Sequence, residues 1–502
     1  MNRCKKRLIA LVLSLVFIAV SVLSYSEPAY AIEEFTHGEN IRASVNGSDN
    51  DITIKALHYV YPNNRYVSMR DVAAAISGTD KQFEMAKDGD KLAVTLGVPY
   101  GAVGGENVPF ELPEEKPADE ETEEPGITEF KYRTKNMGLN AMEVNGKTVK
   151  YYTFIGDNMA GKQDYYISIS DLAMLLDLNM EFRGERLYID TSSSYVPNID
   201  KLREEGFYYE IHAALVGDAT TGEIYDEYNP DNPVAIASVT KLMTYLCIMD
   251  AISSGRIGAN DEVVITKQAE ELSNGEDGVI KMEEGQVSSV SELIKGMLLP
   301  SSNESALSLA IHVAGSEEAF VELMNAKARE LGLSDKTVFY NPHGLPGFMD
   351  SVAASKHQNR MTVEDAFKMV QYILAVYPGI KDVTSLQKAE LPTFNRVINN
   401  TNPLLYNMDE VVGLKTGTTI MAGACLVAAA DVKGADGSVH TIVAMEFGAE
   451  DFATRNTLTQ ELMVYGINRF RENAGEPLDT GAEIKIPQTA EEFIRAVIAE
   501  AK

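Results

Sequence analysis

Apolar residues fall along this chain in three rhythms, and each predicts its own kind of element. Residues 8–23 form a predominantly apolar run behind Arg3, Lys5, Lys6 and Arg7, and Ala29-Tyr30-Ala31 follows as a small-residue cleavage pattern. That order reads as a secretion signal over residues 1–31, cut after Ala31. The run falls just short of a comfortable membrane span, so an uncleaved anchor stays open as the alternative. Far downstream, residues 213–218 and 223–225 flank Thr220-Thr221-Gly222 and predict a hairpin. Helical periodicity then appears over 238–252, 290–299, 305–314 and 317–331. Strand-like segments return at 411–416, 425–432 and 440–447, before a last helix over about 456–470. A hairpin first, helices in the middle and three strands last predict an α+β domain whose antiparallel sheet is sandwiched by helices.

The region between the signal and this domain carries an internal repeat. Tyr66-Val67-Ser68, Asp71-Val72-Ala73 and Ile76 recur one hundred residues later as Tyr166-Ile167-Ser168, Asp171-Leu172-Ala173 and Leu176. An Asn-Gly turn precedes each copy, at Asn46-Gly47 and Asn145-Gly146, and a β-rich segment follows each, at 91–96 and 186–190. The predicted unit is turn, strand, short helix, strand: a two-repeat α+β module. It resembles the copper amine oxidase N-terminal-like domain of exported bacterial proteins. The resemblance implies an accessory domain over 32–195 facing the wall or a partner, and no copper chemistry, because a His or Cys ligand set is missing. A spacer without a ligand of its own is the other reading.

Composition narrows the partners. The chain carries 44 basic and 74 acidic residues, a formal charge of −30, so it has no electrostatic reason to seek nucleic acid or an anionic bilayer. Part of the acid is concentrated in an insert over 111–125, predicted to be solvated and disordered. Cys247 and Cys425 each sit in an apolar segment and read as buried thiols. The histidines form no ligand cluster, and His343 in Asn341-Pro342-His343-Gly344-Leu345 reads as part of a tight turn. No metal and no cofactor are expected.

The chemistry lies in three motifs that run in one order within one domain-sized stretch: Ser238-Val239-Thr240-Lys241, Ser301-Ser302-Asn303 and Lys415-Thr416-Gly417. Ser385-Leu386-Gln387-Lys388, Ser44-Val45-Asn46 and Ser48-Asp49-Asn50 repeat parts of the pattern but not its order. Ser238 and Lys241 stand one helical turn apart, which places both side chains on one face. A lysine can act as base there only when neutral, and burial together with a second cation such as Lys415 favours that form. Ser301 is positioned to relay a proton and Asn303 to hold a substrate amide. Lys415 and the hydroxyls of Thr416 and Thr418 could bind a terminal carboxylate, while Gly417 lets a substrate backbone approach closely. The N–H groups of Ser238 and Thr418 are the natural oxyanion donors.

These motifs, with Met324-Asn325-Ala326-Lys327-Ala328, Leu331-Gly332-Leu333 and the 341–345 turn, resemble the serine-type D-alanyl-D-alanine carboxypeptidases, the low-molecular-mass penicillin-binding proteins. The resemblance covers about half the chain. It implies a penicillin-binding-protein/β-lactamase-like domain over 205–472 and, at 473–502, a tail. Ser238 would be the acylated nucleophile, Lys241 the base, Ser301 and Asn303 the second motif, and Lys415, Thr416, Gly417 and Thr418 the substrate strand. Arg455, just before the last helix, matches an arginine common in the family. The implied partners are peptidoglycan stem peptides ending in D-Ala-D-Ala and β-lactam antibiotics, and the implied location is extracytoplasmic. The tail lacks the family's cationic membrane helix, so membrane contact is expected only through the N-terminal segment. A β-lactamase and a catalytically silent wall-binding protein are the alternatives; Glu322, which could suggest the former, lies inside a regular helical stretch.

Overall fold

The computed structural model describes residues 34–110, 131–197 and 211–474, apart from 49, 59–64, 89–90, 135, 347, 350–351 and 354–356. The expected signal, the acidic insert and nearly all of the C-terminal tail lie outside the described residues. The chain divides into two compact units between Tyr195 and Val196.

The first unit is built around one sheet in which the two repeats interlock. Their matching strands meet at its centre, Arg65–Ser68 running antiparallel to Gln163–Ser168, with Tyr66 opposite Ser168 and Ser68 opposite Tyr166. Each copy then turns into a short helix, Met69–Ala75 or Ile169–Leu176, capped by the Ser68 or Ser168 hydroxyl accepting from the Asp71 or Asp171 amide. The last strand of each copy does not stay at home. Lys91–Leu96 lies parallel to Asn136–Val144 of the second copy, and Arg186–Asp190 lies parallel to Glu34–Val45 of the first. Each copy therefore holds more strands than the predicted unit, and each closes its partner's part of the sheet.

In the second unit, strands β1 (Ala213–Asp218), β2 (Glu223–Tyr228), β3 (Val411–Thr419), β4 (Gly423–Lys433) and β5 (Val439–Ala449) form an antiparallel sheet in the order β2-β1-β5-β4-β3. Side-chain alternation divides its residues between two cores. Ala214, Val216, Leu426, Ala428 and Ile442 pack with Leu458, Leu462, Ile467 and Phe470 of the last helix. Leu215, Val427, Ala429, Val443 and Met445 pack instead with the central helices. These helices are α1 (Lys241–Ser253), α2 (Val290–Leu298), α3 (Asn303–Ala314), α4 (Glu317–Glu330) and α5 (Val363–Val376); the last is α6 (Phe452–Asn473). The expected α+β sandwich is what forms. α1 is buried almost all round, which explains why its apolar pattern is continuous rather than one-sided.

Candidate active site

The nucleophile sits on a strained turn. Ala237–Thr240 is a 3-10 turn that runs directly into α1, and Ala237 takes a φ of 45°, rare for a residue with a side chain. Two glycines make that turn possible. A Cβ at Gly344, itself at φ 94°, would lie 2.0 Å from the Ala237 carbonyl oxygen. One at Gly417 would meet the Ile236 oxygen at 2.8 Å and the Ser238 nitrogen at 3.0 Å. Both neighbouring segments thus touch the backbone around Ser238, and Gly417 is needed for contact with the nucleophile turn itself.

Lys241 is fully buried, and its Nζ is surrounded by three oxygens. Ser238 Oγ lies at 2.7 Å, Asn303 Oδ1 at 2.8 Å and the His343 carbonyl at 2.8 Å. The last two can only accept. A neutral amine gives them its two N–H groups and has one lone pair left, directed at the Ser238 hydroxyl. Burial is the main force holding the Lys241 pKa well below the ordinary lysine range; the Lys415 charge acts in the same direction and Glu304 opposes it. The geometry accommodates a free base facing the nucleophile, and the electrostatics favour that state.

The second motif lies at the start of α3. Ser302 is its cap, accepting from the Ser305 amide at 3.0 Å, which leaves Ser301 before the helix at φ 69° with a buried hydroxyl that has no hydrogen-bond partner. The motif's Ser301 hydroxyl is thus near the cleft but not bonded to Lys241, whereas Asn303 bonds to it directly. Asn303 Nδ2 donates in turn to the Asp277 carbonyl at 3.0 Å.

β3 carries the third motif on the edge of the sheet, so one side of its backbone is not paired with another strand. Lys415 is buried, donates to the Thr416 carbonyl at 2.9 Å, and has its pKa lowered to about 7 by burial first and by Arg455 second. Thr416 Oγ1 lies 2.5 Å from Thr401 Oγ1, and Thr418 Oγ1 donates to the Gly417 carbonyl at 2.7 Å. Arg455 is inside the first turn of α6 rather than before the helix, because Asp451 caps it four residues earlier. It donates to Asn456 Oδ1 from Nε and Nη2.

Sequence reasoning missed the main-chain acceptor of His343. No residue-type pattern marks a carbonyl, although the Asn341 side chain, which accepts from the His343 and Gly344 amides, builds the turn that aims it. It also missed Thr401, which joins Thr416 to the Leu299 carbonyl beside the second motif. The competing patterns fall apart in space. Ser385 ends a short helix and Lys388 is exposed on a separate strand, so the pair shares no helical face. Glu322 is exposed on α4, and Asn325 is used by the Phe339 backbone. Cys247 and Cys425 are buried free thiols. Among the described residues no group of three or more His, Cys, Asp or Glu could hold a metal ion.

A family model described as D-alanyl-D-alanine carboxypeptidase matches residues 204–446, all within the second unit. The D-alanyl-D-alanine carboxypeptidase DacF of Bacillus subtilis is 30% identical over 308 residues, covering 60% of this chain and 74% of that protein. DacC of Escherichia coli is 30% identical over 268 residues, and the chain spans 62% of its length. Among solved structures, penicillin-binding protein D2 of Listeria monocytogenes in its ampicillin-bound form aligns with a TM-score of 0.43 and 25% identity, covering 51% of this chain and 97% of that one.

Proposed function

This chain belongs to the D-alanyl-D-alanine carboxypeptidase family, and on that premise we propose that it removes the terminal D-alanine from peptidoglycan stem peptides through an acyl-enzyme on Ser238. The observation that carries the reading is the position of Lys241 Nζ between Ser238 Oγ and two acceptor-only oxygens.

Ser238 Oγ attacks the carbonyl of the penultimate D-alanine while Lys241 takes its proton. The oxyanion rests on the N–H groups of Ser238 and Thr418, each worth about 3 kcal/mol of transition-state stabilisation. Ser301, whose hydroxyl has no competing partner, passes the proton to the departing D-alanine nitrogen. The substrate peptide lies along the open edge of β3, held as an added strand. Lys415, Thr416 and Thr418 receive its carboxylate, Gly417 lets β3 reach the nucleophile turn, and Asn303 orients both Lys241 and the substrate amide. Water then cleaves the ester. A β-lactam carries a strained carbonyl and a carboxylate in the same relation, so it acylates Ser238 as well. The exposed position of Glu322 supports no water-activating carboxylate of the β-lactamase kind.

The first unit serves as an accessory domain over 32–195 that resembles the copper amine oxidase N-terminal-like module, and the catalytic domain spans 205–472. The protein acts outside the cytoplasm. Among the described residues no helix is long and apolar enough to cross a membrane.

Incubation with a peptide ending in D-Ala-D-Ala tests the activity. Free D-alanine and a peptide shortened by one residue are expected; a cross-linked dimer would mean transpeptidation, and an untouched substrate would contradict the proposal.

A further inference from the structure

Glu304 is a buried acid beside the site to which the proposed chemistry assigns nothing. It follows Asn303 on the first turn of α3 and is fully inaccessible to solvent. Its Oε1 accepts from the Val279 amide at 3.1 Å and also from the Ile280 amide. The preceding residue holds the same loop from the other end, Asn303 Nδ2 donating to the Asp277 carbonyl. Two consecutive side chains thus moor residues 277–280 to the start of α3, and one of them is a direct partner of Lys241. On the loop's outer side, Arg396 Nη1 donates to the Val279 carbonyl at 2.9 Å.

Resting on the carboxypeptidase reading, we infer that Glu304 is a positioning residue for acylation: its carboxylate fixes the 277–280 loop, the loop fixes Asn303, and Asn303 presents Lys241 to Ser238. The carboxylate has a second effect through space. Lys241 is faced by Lys415 from β3, by Glu304 from α3 and by His343 from the 341–345 turn; among these Glu304 favours the protonated amine. Burial lifts the pKa of Glu304, while the two loop amides draw it back down, so the mooring also helps keep the carboxylate charged. Losing that charge lowers the Lys241 pKa. Because acylation requires neutral Lys241 and rises with pH through that pKa, the acid limb then moves to lower pH.

The two effects separate in variants. Glu304→Gln keeps an acceptor for both amides and loses the charge, so its acid limb should move down by about one pH unit with the plateau rate preserved. Glu304→Ala loses both, so the plateau should fall about tenfold or more as Asn303 is released. Hydrogen exchange at the Val279 and Ile280 amides should speed up in the alanine variant and not in the glutamine one. The assay is the rate of acylation by a fluorescent penicillin from acid to neutral pH, with thermal melting run alongside. A glutamine variant with an unmoved acid limb overturns the inference, and so does a folded alanine variant with wild-type rates and wild-type exchange. If the alanine variant does not fold, the glutamine profile decides. Wild-type protein that is not acylated at all would instead contradict the underlying functional reading.

Discussion

Replacing Asn303 by aspartate puts the base mechanism under direct strain with almost no change in shape. In the native site Asn303 Oδ1 lies 2.8 Å from Lys241 Nζ and accepts one of its N–H bonds. Aspartate would place an anion at that position. At 2.8 Å and an effective dielectric of about 20, a full charge pair is worth about 6 kcal/mol, or roughly four pK units in favour of protonated lysine. Part of this is lost, because the new carboxylate must itself be desolvated and its second oxygen would face the Asp277 carbonyl that Asn303 Nδ2 now satisfies. A net rise of about two units in the Lys241 pKa is a conservative remainder. The measurable consequence is an acid limb displaced to higher pH: Asn303→Asp should acylate with penicillin about a hundredfold more slowly on that limb and recover as the pH rises. Asn303→Ala, which adds no charge, should be slowed without that displacement. Stopped-flow or gel-based acylation rates across pH, with melting temperatures to confirm folding, provide the comparison. If the acid limb of Asn303→Asp coincides with that of the wild type, Lys241 is not the base.

Three further outcomes follow from the same geometry. Lys415, at about 7, loses its charge as pH rises through that value, so KM for a D-Ala-D-Ala peptide should climb on the alkaline side; Arg455→Gln removes the cation that lowers this pKa and should shift the climb to higher pH. Ser301→Ala should cut kcat about a hundredfold in D-alanine release assays while leaving the melting temperature unchanged or slightly raised, because the hydroxyl it deletes is buried and unpaired. Gly344→Ala should cost about 1–2 kcal/mol in denaturant melts for its left-handed backbone and lower acylation by more than tenfold, roughly, since the new methyl would push on the Ala237 carbonyl beside Ser238.

The catalytic core was legible because its parts are side chains whose types and spacing carry chemistry. A serine and a lysine three apart can share one turn whether that turn is α or, as here, 3-10 leading into α. The hairpin, the central helices and the three last strands were likewise visible as periodicity. α5 escaped the reading, although Thr362 caps it by accepting from the Asp365 amide and Val363, Phe367 and Val370 lie on its buried side. What no local pattern could disclose are contacts between distant backbones. The His343 carbonyl reaches Lys241 across 102 residues, and the mooring of the 277–280 loop depends on main-chain amides that any residue type would supply. The interlocking of the first unit was hidden for a similar reason. The repeat was plain, but pairing Leu92 with Met142 or Arg42 with Arg186 depends on long-range register rather than on either strand's own sequence.

Intact-protein mass spectrometry after incubation with penicillin reads out directly whether Ser238, activated by Lys241, forms a covalent acyl-enzyme. One penicillin mass per chain is expected, located by peptide mapping on Ser238, absent in Ser238→Ala, and persistent because the opened ring stays tethered where an amine would have left. An adduct on Ser385 or any other residue, or no adduct in the folded protein, would refute acylation at Ser238.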